Sequence, residues 1–217
     1  MKVIDEATVF EINLDSTPVK IDIDEHRYYI QLDDFYANPH MVEELAHSIP
    51  LSQSVAMCNG MPKNAHSGRA NANYDLSHFG SVFAGIIHAY YPGLRTTDAI
   101  QHSLSTVSFM CQAVCSQDLP AIGPHIDYPE PGRFAATIGL TPTPHCRGGT
   151  SFYTQLDTQE SDHYVTDTTD SWRMDALAEL AWNRLIMYPT NYWHTAYVKP
   201  GWYDTSEQLR VTQQFFI

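Results

Sequence analysis

From about residue 104 to residue 217 the chain is a series of short apolar runs separated by turn residues. In order, these runs are STVSFMCQAVC, RFAATIGL, GTSFYTQ, RLIMYP, WHTAYV and LRVTQQFFI, and the segment GPHIDYPEPG follows the first of them. The runs are rich in β-branched and aromatic residues, which favour extended structure. Strands this short and closely spaced are typical of a sandwich or barrel, so we predict a β core over about 104–217.

The preceding part, about residues 1–103, mixes strand and helix patterns. The runs TVFEINL, VKIDID and HRYYIQL predict three strands. Asn38 and Pro39 predict the start of a helix that Pro50 ends, and a second helix is expected over about 76–90. Residues 51–73 are rich in Ser, Asn, Gly and Pro and predict a long loop. We therefore expect one domain over 1–217, mainly β with flanking helices, in which an N-terminal α/β part supports the β core.

Composition restricts the function classes. The chain of 217 residues is 43% hydrophobic and 17% charged, as in globular proteins, and its net charge of −13 disfavours a nucleic-acid partner. It lacks an apolar run of about 18 residues, and its first residues lack a signal-peptide pattern. We expect no membrane association, a cytoplasmic location, and a small-molecule or peptide substrate. The cysteines lack zinc spacing, and Cys111 and Cys115 are interpreted as buried thiols.

The segment GPHIDYPEPG carries two polar side chains on one face of a predicted strand. Side chains alternate along a strand, so His125 and Asp127 project to the same side. Burying such groups without partners costs roughly 2–7 kcal/mol for a neutral one and more for a carboxylate. A metal ion, a hydrogen-bond network or exposure in a surface turn before Pro129 would each avoid this cost.

A metal would need a third ligand, and His194 in NYWHTAYV is the best candidate. Two histidines and one carboxylate that leave other positions open form the facial arrangement of non-haem Fe(II) oxygenases. The alternative for His194 is a core imidazole bonded to a backbone carbonyl.

Arg210 and Thr212 in LRVTQQFFI are also two positions apart, so they share a face. A guanidinium binds a carboxylate through two parallel hydrogen bonds, and a threonine hydroxyl can add a third. A diacid that chelates the metal at one end would place its other carboxylate here. The alternative is a surface ion pair of Arg210 with Glu179 or Asp204.

Together, His125-x-Asp127, His194 and Arg210-x-Thr212 resemble the pattern of the 2-oxoglutarate-dependent Fe(II) oxygenases, which adopt a double-stranded β-helix, a jelly-roll or cupin-like fold. The segments FYANPHMVEELA and RGGTSFY are similar to the prolyl-hydroxylase-like branch. YPGLR, PHIDYP and GTSFY also resemble a bacterial group often encoded near flavin-dependent tryptophan halogenases. The run RFAATIGL departs from the pattern because it lacks an asparagine that many relatives carry near its end.

The resemblance implies roles for six residues. His125, Asp127 and His194 would ligate Fe(II), Arg210 and Thr212 would bind 2-oxoglutarate, and Tyr153 would add a hydrogen bond to this co-substrate. The reaction would consume O2 and hydroxylate a C–H bond, with succinate and CO2 as co-products. Related halogenases replace the carboxylate with a small residue, so Asp127 favours hydroxylation over halogenation.

Two other functions remain open at this point. One is a cupin-like metal enzyme that does not use 2-oxoglutarate, and the other is a non-catalytic binding protein on the same fold. The polar segment 157–175 is expected to run over the barrel mouth, followed by a short helix in DALAEL. The aromatic residues expected at a pocket are Tyr128, Trp172, Tyr188 and Trp193.

Overall fold

The structure, a computed structural model, describes residues 5–49, 66–74, 76–93, 106–113, 123–156, 171–199, 202 and 210–217. The helices are α1 (Glu6–Val9), α2 (Pro39–Ser48) and α3 (Phe79–Tyr90). The strands are β1 (Val19–Asp22), β2 (Tyr28–Leu32), β3 (His66–Asn73), β4 (Thr106–Ala113), β5 (Phe134–Gly139), β6 (Gly149–Gln155), β7 (Trp172–Glu179), β8 (Leu185–Pro189), β9 (His194–Tyr197) and β10 (Arg210–Phe216).

The strands form two antiparallel sheets. Among the described residues, the large sheet has seven strands in the order β1-β2-β8-β5-β10-β4-β3, and the small sheet has three in the order β7-β6-β9. An isolated bridge between His125 and His194 adds the segment around His125 to the open edge of β9. This architecture confirms the prediction of a mainly β chain with flanking helices. The large sheet joins strands from both parts of the chain, and the single domain over 1–217 stays a prediction.

The central strands β8, β5 and β10 of the large sheet are buried on both faces. One face packs against the helices, where Phe79 and Phe83 of α3 contact Phe215 of β10 with ring centroids 5.6 and 5.3 Å apart. The other face packs against the small sheet. The buried cluster between the two sheets consists of Tyr29, Ala135, Phe152, Ala178, Ile186 and Tyr188. Side chains alternate along each strand, so successive residues of the large sheet point in turn to the helix-side core and to the space between the two sheets.

The two helices predicted in the N-terminal part are present. Pro39 lies in the first turn of α2, where its missing N–H costs no hydrogen bond. Asn38 precedes it, but its side chain binds the Thr8 carbonyl and Glu11 and does not cap the helix. The second helix, α3, begins at Phe79 rather than at residue 76.

Three local predictions are wrong. TVFEINL forms α1 and a single bridge at Ile12 instead of a strand, because Val9 and Phe10 turn inward and become buried. DALAEL is largely part of β7 instead of a helix, because β6 pairs with β7 from Gly149 to Gln155 and this pairing outweighs the helix propensity of Ala, Leu and Glu. The predicted loop 51–73 contains β3, which pairs with β4.

Several earlier expectations fall on residues that the structure does not describe. They concern most of the polar segment, 157–170, the loop residues 51–65, and Cys115.

Arg27 links the large sheet to the small sheet through hydrogen bonds. It precedes β2 of the large sheet, and its guanidinium donates to the Tyr153 carbonyl at 2.7 Å, to Thr154 Oγ1 at 3.0 Å and to Asp175 Oδ2 at 2.6 Å. Its Nε donates to Asp24 Oδ2 at 2.7 Å. Since only 7% of the Asp175 side chain is exposed, this ion pair fixes β2 against β6 and β7 in a largely dry environment.

Candidate metal centre

The bridge between His125 and His194 brings two distant segments into register. The His125 N–H donates to the His194 carbonyl at 2.9 Å, and the His194 N–H donates to the His125 carbonyl at 3.0 Å. Residues paired in this way lie directly opposite each other, so their side chains emerge on the same face. The two imidazole rings accordingly have centroids 4.5 Å apart.

Asp127 completes a compact group of three ligand side chains. Its Oδ1 lies 3.7 Å from His125 Nε2, and its Oδ2 lies 3.2 Å from His194 Nε2. One ligand atom from each of the three residues can be chosen so that all lie within 4.8 Å of one another. The group could therefore hold a metal ion, and in the described residues it is the only group of three or more such side chains that could.

Backbone carbonyls fix the protonation of both rings. His125 Nδ1 lies 3.2 Å from the Gly123 carbonyl oxygen, and His194 Nδ1 lies 2.9 Å from the Tyr192 carbonyl oxygen. A carbonyl only accepts hydrogen bonds, so each Nδ1 carries a proton, and in the neutral imidazole Nε2 then presents the lone pair. Both lone pairs face the Asp127 carboxylate, which is itself an acceptor. A cation between the three groups would satisfy all of them, as expected for a metal site.

Burial favours the neutral form of the His125 imidazole. Desolvation and the neighbouring His194 lower the pKa of His125, while Asp127 and the Gly123 carbonyl act in the opposite direction. The exposed fractions of the side chains are 15% for His125, 16% for Asp127 and 7% for His194. The neutral imidazole is the form that ligates a metal, and the remaining exposure leaves a route for a ligand.

Tyr188 of β8 forms the wall behind His194. Its ring packs edge-on against the His194 ring at a centroid distance of 4.9 Å and against Phe152 at 5.1 Å. Burial raises the pKa of Tyr188 well above its ordinary value, the charge of Asp127 raises it further, and Arg210 acts in the opposite direction. Tyr188 therefore stays protonated within reach of the charges of both Asp127 and Arg210.

Arg210 and Thr212 project into the same space between the sheets. On β10, Val211 and Phe215 enter the helix-side core, whereas Phe216 packs against the cluster between the sheets. By alternation, Arg210 and Thr212 lie on the Phe216 face. Only 3% of Arg210 is exposed, so its guanidinium lies in the interior, and its alternative partner Asp204 lies outside the described residues.

Thr212 carries an orphan polar atom. Its Oγ1 is buried and has no hydrogen-bond partner among the described residues. Buried hydroxyls in folded proteins are nearly always hydrogen-bonded, so this atom indicates space for a water or a ligand oxygen.

The Tyr153 hydroxyl is hydrogen-bonded to a residue of its own strand. A hydrogen bond of 3.1 Å joins its hydroxyl to Ser151 Oγ, and Ser151 also bonds to the Thr195 carbonyl. Ser151 alternates with Phe152, which faces the inter-sheet cluster, so the Tyr153 hydroxyl lies on the opposite face of β6. A contact of Tyr153 with a co-substrate stays a prediction.

The aromatic residues expected at a pocket have different roles. Trp172 and Trp193 contact each other with ring centroids 4.8 Å apart, and Tyr128 packs against Phe216. Tyr188 alone among the four contacts His194 through its ring. The sequence signal for it was weak, because RLIMYP is an ordinary buried strand in which the tyrosine resembles any other core residue.

Comparisons with known proteins add little to this geometry. No protein-family model matches the chain, and no curated protein matches it. Among solved structures, the chain is similar to one described as "Crystal Structure of EvdMO1", with 13% sequence identity and a TM-score of 0.46. That match covers 86% of this chain and 46% of the other protein, so this chain spans less than half of the length of the solved structure.

Helix length bears on the expected absence of membrane association. In the described parts of the chain, each helix is too short or too polar to cross a bilayer. The cytoplasmic location and the absence of a nucleic-acid partner stay predictions.

Proposed function

We propose that the protein is an Fe(II)- and 2-oxoglutarate-dependent oxygenase that hydroxylates an unactivated C–H bond of a small molecule, amino acid or peptide. The observation that carries this proposal is the convergence of His125, Asp127 and His194 on one face, with both Nε2 lone pairs turned to the carboxylate. This donor set is the two-histidine, one-carboxylate facial triad of non-haem iron enzymes.

The order of the strands supports a double-stranded β-helix. After β4 in the large sheet, the chain passes to the His125 segment beside β9, then to β5 in the large sheet and to β6 and β7 in the small one. It returns through β8, crosses to β9 and ends in β10. Strands β8, β5, β10 and β4 of the large sheet then face β7, β6, β9 and the His125 segment of the small sheet, as in a jelly roll.

The ligand geometry fits a divalent transition metal. Metal–ligand bonds of about 2.1 Å at right angles place neighbouring donor atoms roughly 3 Å apart. Asp127 Oδ2 lies 3.2 Å from His194 Nε2 and Asp127 Oδ1 lies 3.7 Å from His125 Nε2, which is close to this value, and one ligand atom from each residue can be chosen within 4.8 Å of the others. Nitrogen and carboxylate donors without a thiolate suit Fe(II) better than they suit a soft metal.

Arg210 and Thr212 fit the far end of a dicarboxylate. The buried guanidinium offers two parallel N–H groups to a carboxylate, and Thr212 Oγ1 is a buried hydroxyl with hydrogen-bonding capacity to spare. A 2-oxo acid that chelates the metal at one end would place its other carboxylate beside this pair.

Each residue then has a defined task in the reaction. When bound, iron together with 2-oxoglutarate and O2 supplies an oxidation strong enough to break a C–H bond, leaving succinate and CO2. The carbonyls of Gly123 and Tyr192 hold the two imidazoles with Nε2 toward the metal. Arg210 orients the co-substrate, and Phe152 and Tyr188 exclude water from the inner side. Because Asp127 is a carboxylate, we favour hydroxylation over halogenation.

The test uses the full chain under anaerobic conditions. We expect Fe(II) plus 2-oxoglutarate to give a metal-to-ligand charge-transfer band, and added O2 to yield succinate. An Asp127→Ala variant should lose both signals. An Arg210→Met variant should still bind Fe(II) but show no band at the 2-oxoglutarate concentration that saturates the parent. Arg184→Met is the matched control, because Arg184 binds Asp33 at the surface and should leave both signals unchanged.

The possible failures point to different functions. Fe(II) binding without a band would contradict the co-substrate and favour a cupin-like metal enzyme that does not use 2-oxoglutarate. Lack of Fe(II) binding at micromolar concentrations would contradict the metal centre itself and favour a binding protein. Undiminished turnover by the Asp127→Ala variant would also overturn the proposal.

A further inference from the structure

We propose that Arg133 and Tyr128 form a carboxylate-binding site at the rim of the space between the sheets, and that the primary substrate is therefore a carboxylic acid. The anion site depends on the geometry of the rim alone, whereas its assignment to the substrate rests on the proposed function.

Arg133 lies at the rim of the space that contains the metal ligands. It directly precedes β5, and its carbonyl accepts a hydrogen bond from the Thr190 N–H at 3.1 Å, so it extends the pairing of β5 with β8 by one residue. Ala135 belongs to the cluster between the sheets and pairs with Tyr188, whose ring contacts His194. Since Arg133 is two residues before Ala135, it points to the same face, and it is exposed where Ala135 is buried.

The Arg133 guanidinium lies over the ring of Tyr128. Its central carbon is 4.6 Å from the ring centroid, and the ring packs edge-on against Phe216 with centroids 5.7 Å apart. Phe216 pairs with Ala135 and packs against the cluster between the sheets, so the stacked pair lies beside the opening of that space. Stacking covers a face of the guanidinium and leaves the N–H groups along its edge available for two parallel hydrogen bonds to a carboxylate.

The segment that carries these two side chains is held at both ends. Thr190 is fully buried, and its hydroxyl oxygen lies 3.1 Å from the Tyr128 carbonyl oxygen and 3.4 Å from that of Arg133. Between them, Pro129 and Pro131 each fix a backbone angle. A binding group that is already held in place loses little conformational entropy when a ligand binds. Because Thr190 contacts backbone oxygens, substituting either side chain leaves this anchor intact.

The charge of Arg133 is not matched by a neighbouring acid. The chain has 25 acidic residues and only 12 lysines and arginines, and Arg27, Arg173 and Arg184 each pair with a carboxylate. Within the described ranges, no carboxylate forms an ion pair with Arg133, which contacts the Tyr128 ring instead. An exposed arginine that is held on an aromatic ring and lacks an internal acid in so acidic a chain indicates a site for an external anion.

The two arginines of this space then serve different ligands. Arg210 begins β10 and is 3% exposed, which suits a co-substrate bound deep between the sheets. Arg133 lies beyond the other end of the same face, at the solvent side of the level of His194. A substrate whose carboxylate binds Arg133 would extend inward and bring a carbon remote from that carboxylate to the metal. We therefore expect oxidation away from the acid group.

The test is isothermal titration calorimetry on the full chain loaded with Mn(II) and 2-oxoglutarate. The probes are N-acetylated apolar and aromatic amino acids and their carboxamides, which have nearly the same shape as the acids but no charge. We expect at least one acid to bind the parent about tenfold more tightly than its carboxamide. Arg133→Met should bind the two forms equally, within about twofold.

Two substitutions of Tyr128 test the ring beneath the guanidinium. Tyr128→Phe keeps the ring and should retain the preference for the acid, whereas Tyr128→Leu should reduce it to about threefold. Arg184→Met is the matched control, because Arg184 pairs with Asp33 at the surface and its loss should leave the preference unchanged.

The outcomes separate the anion site from the proposed function. A parent that binds no acid more tightly than its carboxamide overturns the site. A preference that survives in Arg133→Met also overturns it, because the acid then binds the metal or Arg210 instead. If the parent binds Mn(II) but not 2-oxoglutarate, the oxygenase proposal fails, and the same titration without 2-oxoglutarate still decides the anion site. If acids bind through Arg133 but do not accelerate succinate formation by the Fe(II) protein, the assignment to the substrate is overturned.

Discussion

Asp127→Asn should have opposite effects on the metal-free and the metal-bound protein. Without metal, the Asp127 carboxylate oxygens lie 3.7 and 3.2 Å from the Nε2 atoms of the two imidazoles. When the imidazoles are neutral, both sides are hydrogen-bond acceptors and repel each other. An asparagine amide has nearly the same shape and would donate to one of these nitrogens. The substitution should therefore stabilise the metal-free protein and weaken the metal site.

The magnitudes follow from the contacts. Turning one repulsive contact into a hydrogen bond should add about 1 kcal/mol to the free energy of unfolding. For a domain of this size that raises Tm by roughly 2–4 °C. Metal at about 100 times its dissociation constant stabilises the native state by about 2.7 kcal/mol, which corresponds to a Tm increase of roughly 5–10 °C in the parent. The variant should lose most of this increase because its amide is a neutral, weaker ligand.

The assay is thermal unfolding followed by circular dichroism at about pH 8, where protons compete little with a metal for imidazole nitrogen. Parent and variant are compared after chelator treatment and again with Mn(II) in excess. Asp22→Asn is the control, because Asp22 is an exposed residue paired with Lys20 and its Tm should not respond to the metal.

Two results would refute this reasoning. If the metal-free variant unfolds at a lower temperature than the metal-free parent, Asp127 is not facing repulsive acceptors. If Mn(II) raises Tm equally in both proteins, Asp127 is not a ligand of the bound ion.

Three further predictions concern the framework around the site. Arg27→Met should lower the free energy of unfolding in urea by roughly 1.5–3 kcal/mol, because Asp175 is 7% exposed and would lose the Arg27 guanidinium at 2.6 Å while keeping Arg173 at 2.8 Å; an equal loss in the Arg27→Met, Asp175→Leu double variant would contradict this origin. Burial alone would raise the pKa of Asp24, but hydrogen bonds from the His26 backbone and from Arg27 outweigh it and lower the pKa to about 2. Asp24 should therefore stabilise the protein above about pH 4, its ordinary range, and lose this effect as the pH falls toward 2, so the urea midpoint should fall more steeply with acid in the parent than in Asp24→Asn. Gly139→Ala should destabilise by about 1–3 kcal/mol, because the new Cβ would lie 2.3 Å from the Ala181 carbonyl oxygen. Gly85→Ala, whose Cβ would meet nothing within 4 Å on α3, should be neutral or stabilising, and similar losses in both glycine variants would refute the steric explanation.

Local sequence patterns predicted those elements whose structure depends on near neighbours. The run GTSFYTQ is β6 with the same bounds, and α2 begins at Pro39 and ends just before Pro50 as its pattern indicated. In both cases the turn residues or prolines at the ends limit the segment, and its own side chains fit the geometry. Such information is contained in a few consecutive residues.

The wrong predictions share a different cause. The residues of DALAEL favour a helix by themselves, but β6 is available beside them and offers a full ladder of backbone hydrogen bonds. TVFEINL partly alternates like a strand, but burying Val9 and Phe10 against the helix-side core determines its path. Long-range partners decided both segments, and they are not visible in a local window.

The sequence by itself determined which side-chain groups this protein could use, because few residue types can ligate Fe(II) or bind a carboxylate through two hydrogen bonds. The two-residue spacing of His125 and Asp127, and of Arg210 and Thr212, indicated that each pair shares a face. Only the tertiary structure decided their distances and orientations. The antiparallel bridge sets His125 opposite His194, two backbone carbonyls orient the rings, and the alternation of β10 turns Arg210 inward. The contact between the Tyr188 and His194 rings is also a tertiary property. Strand β8 brings Tyr188 to this position, and the sequence around it contains no motif that indicates the contact. Distances between side chains depend on how strands pair across the whole chain, and residue identities alone do not specify that pairing.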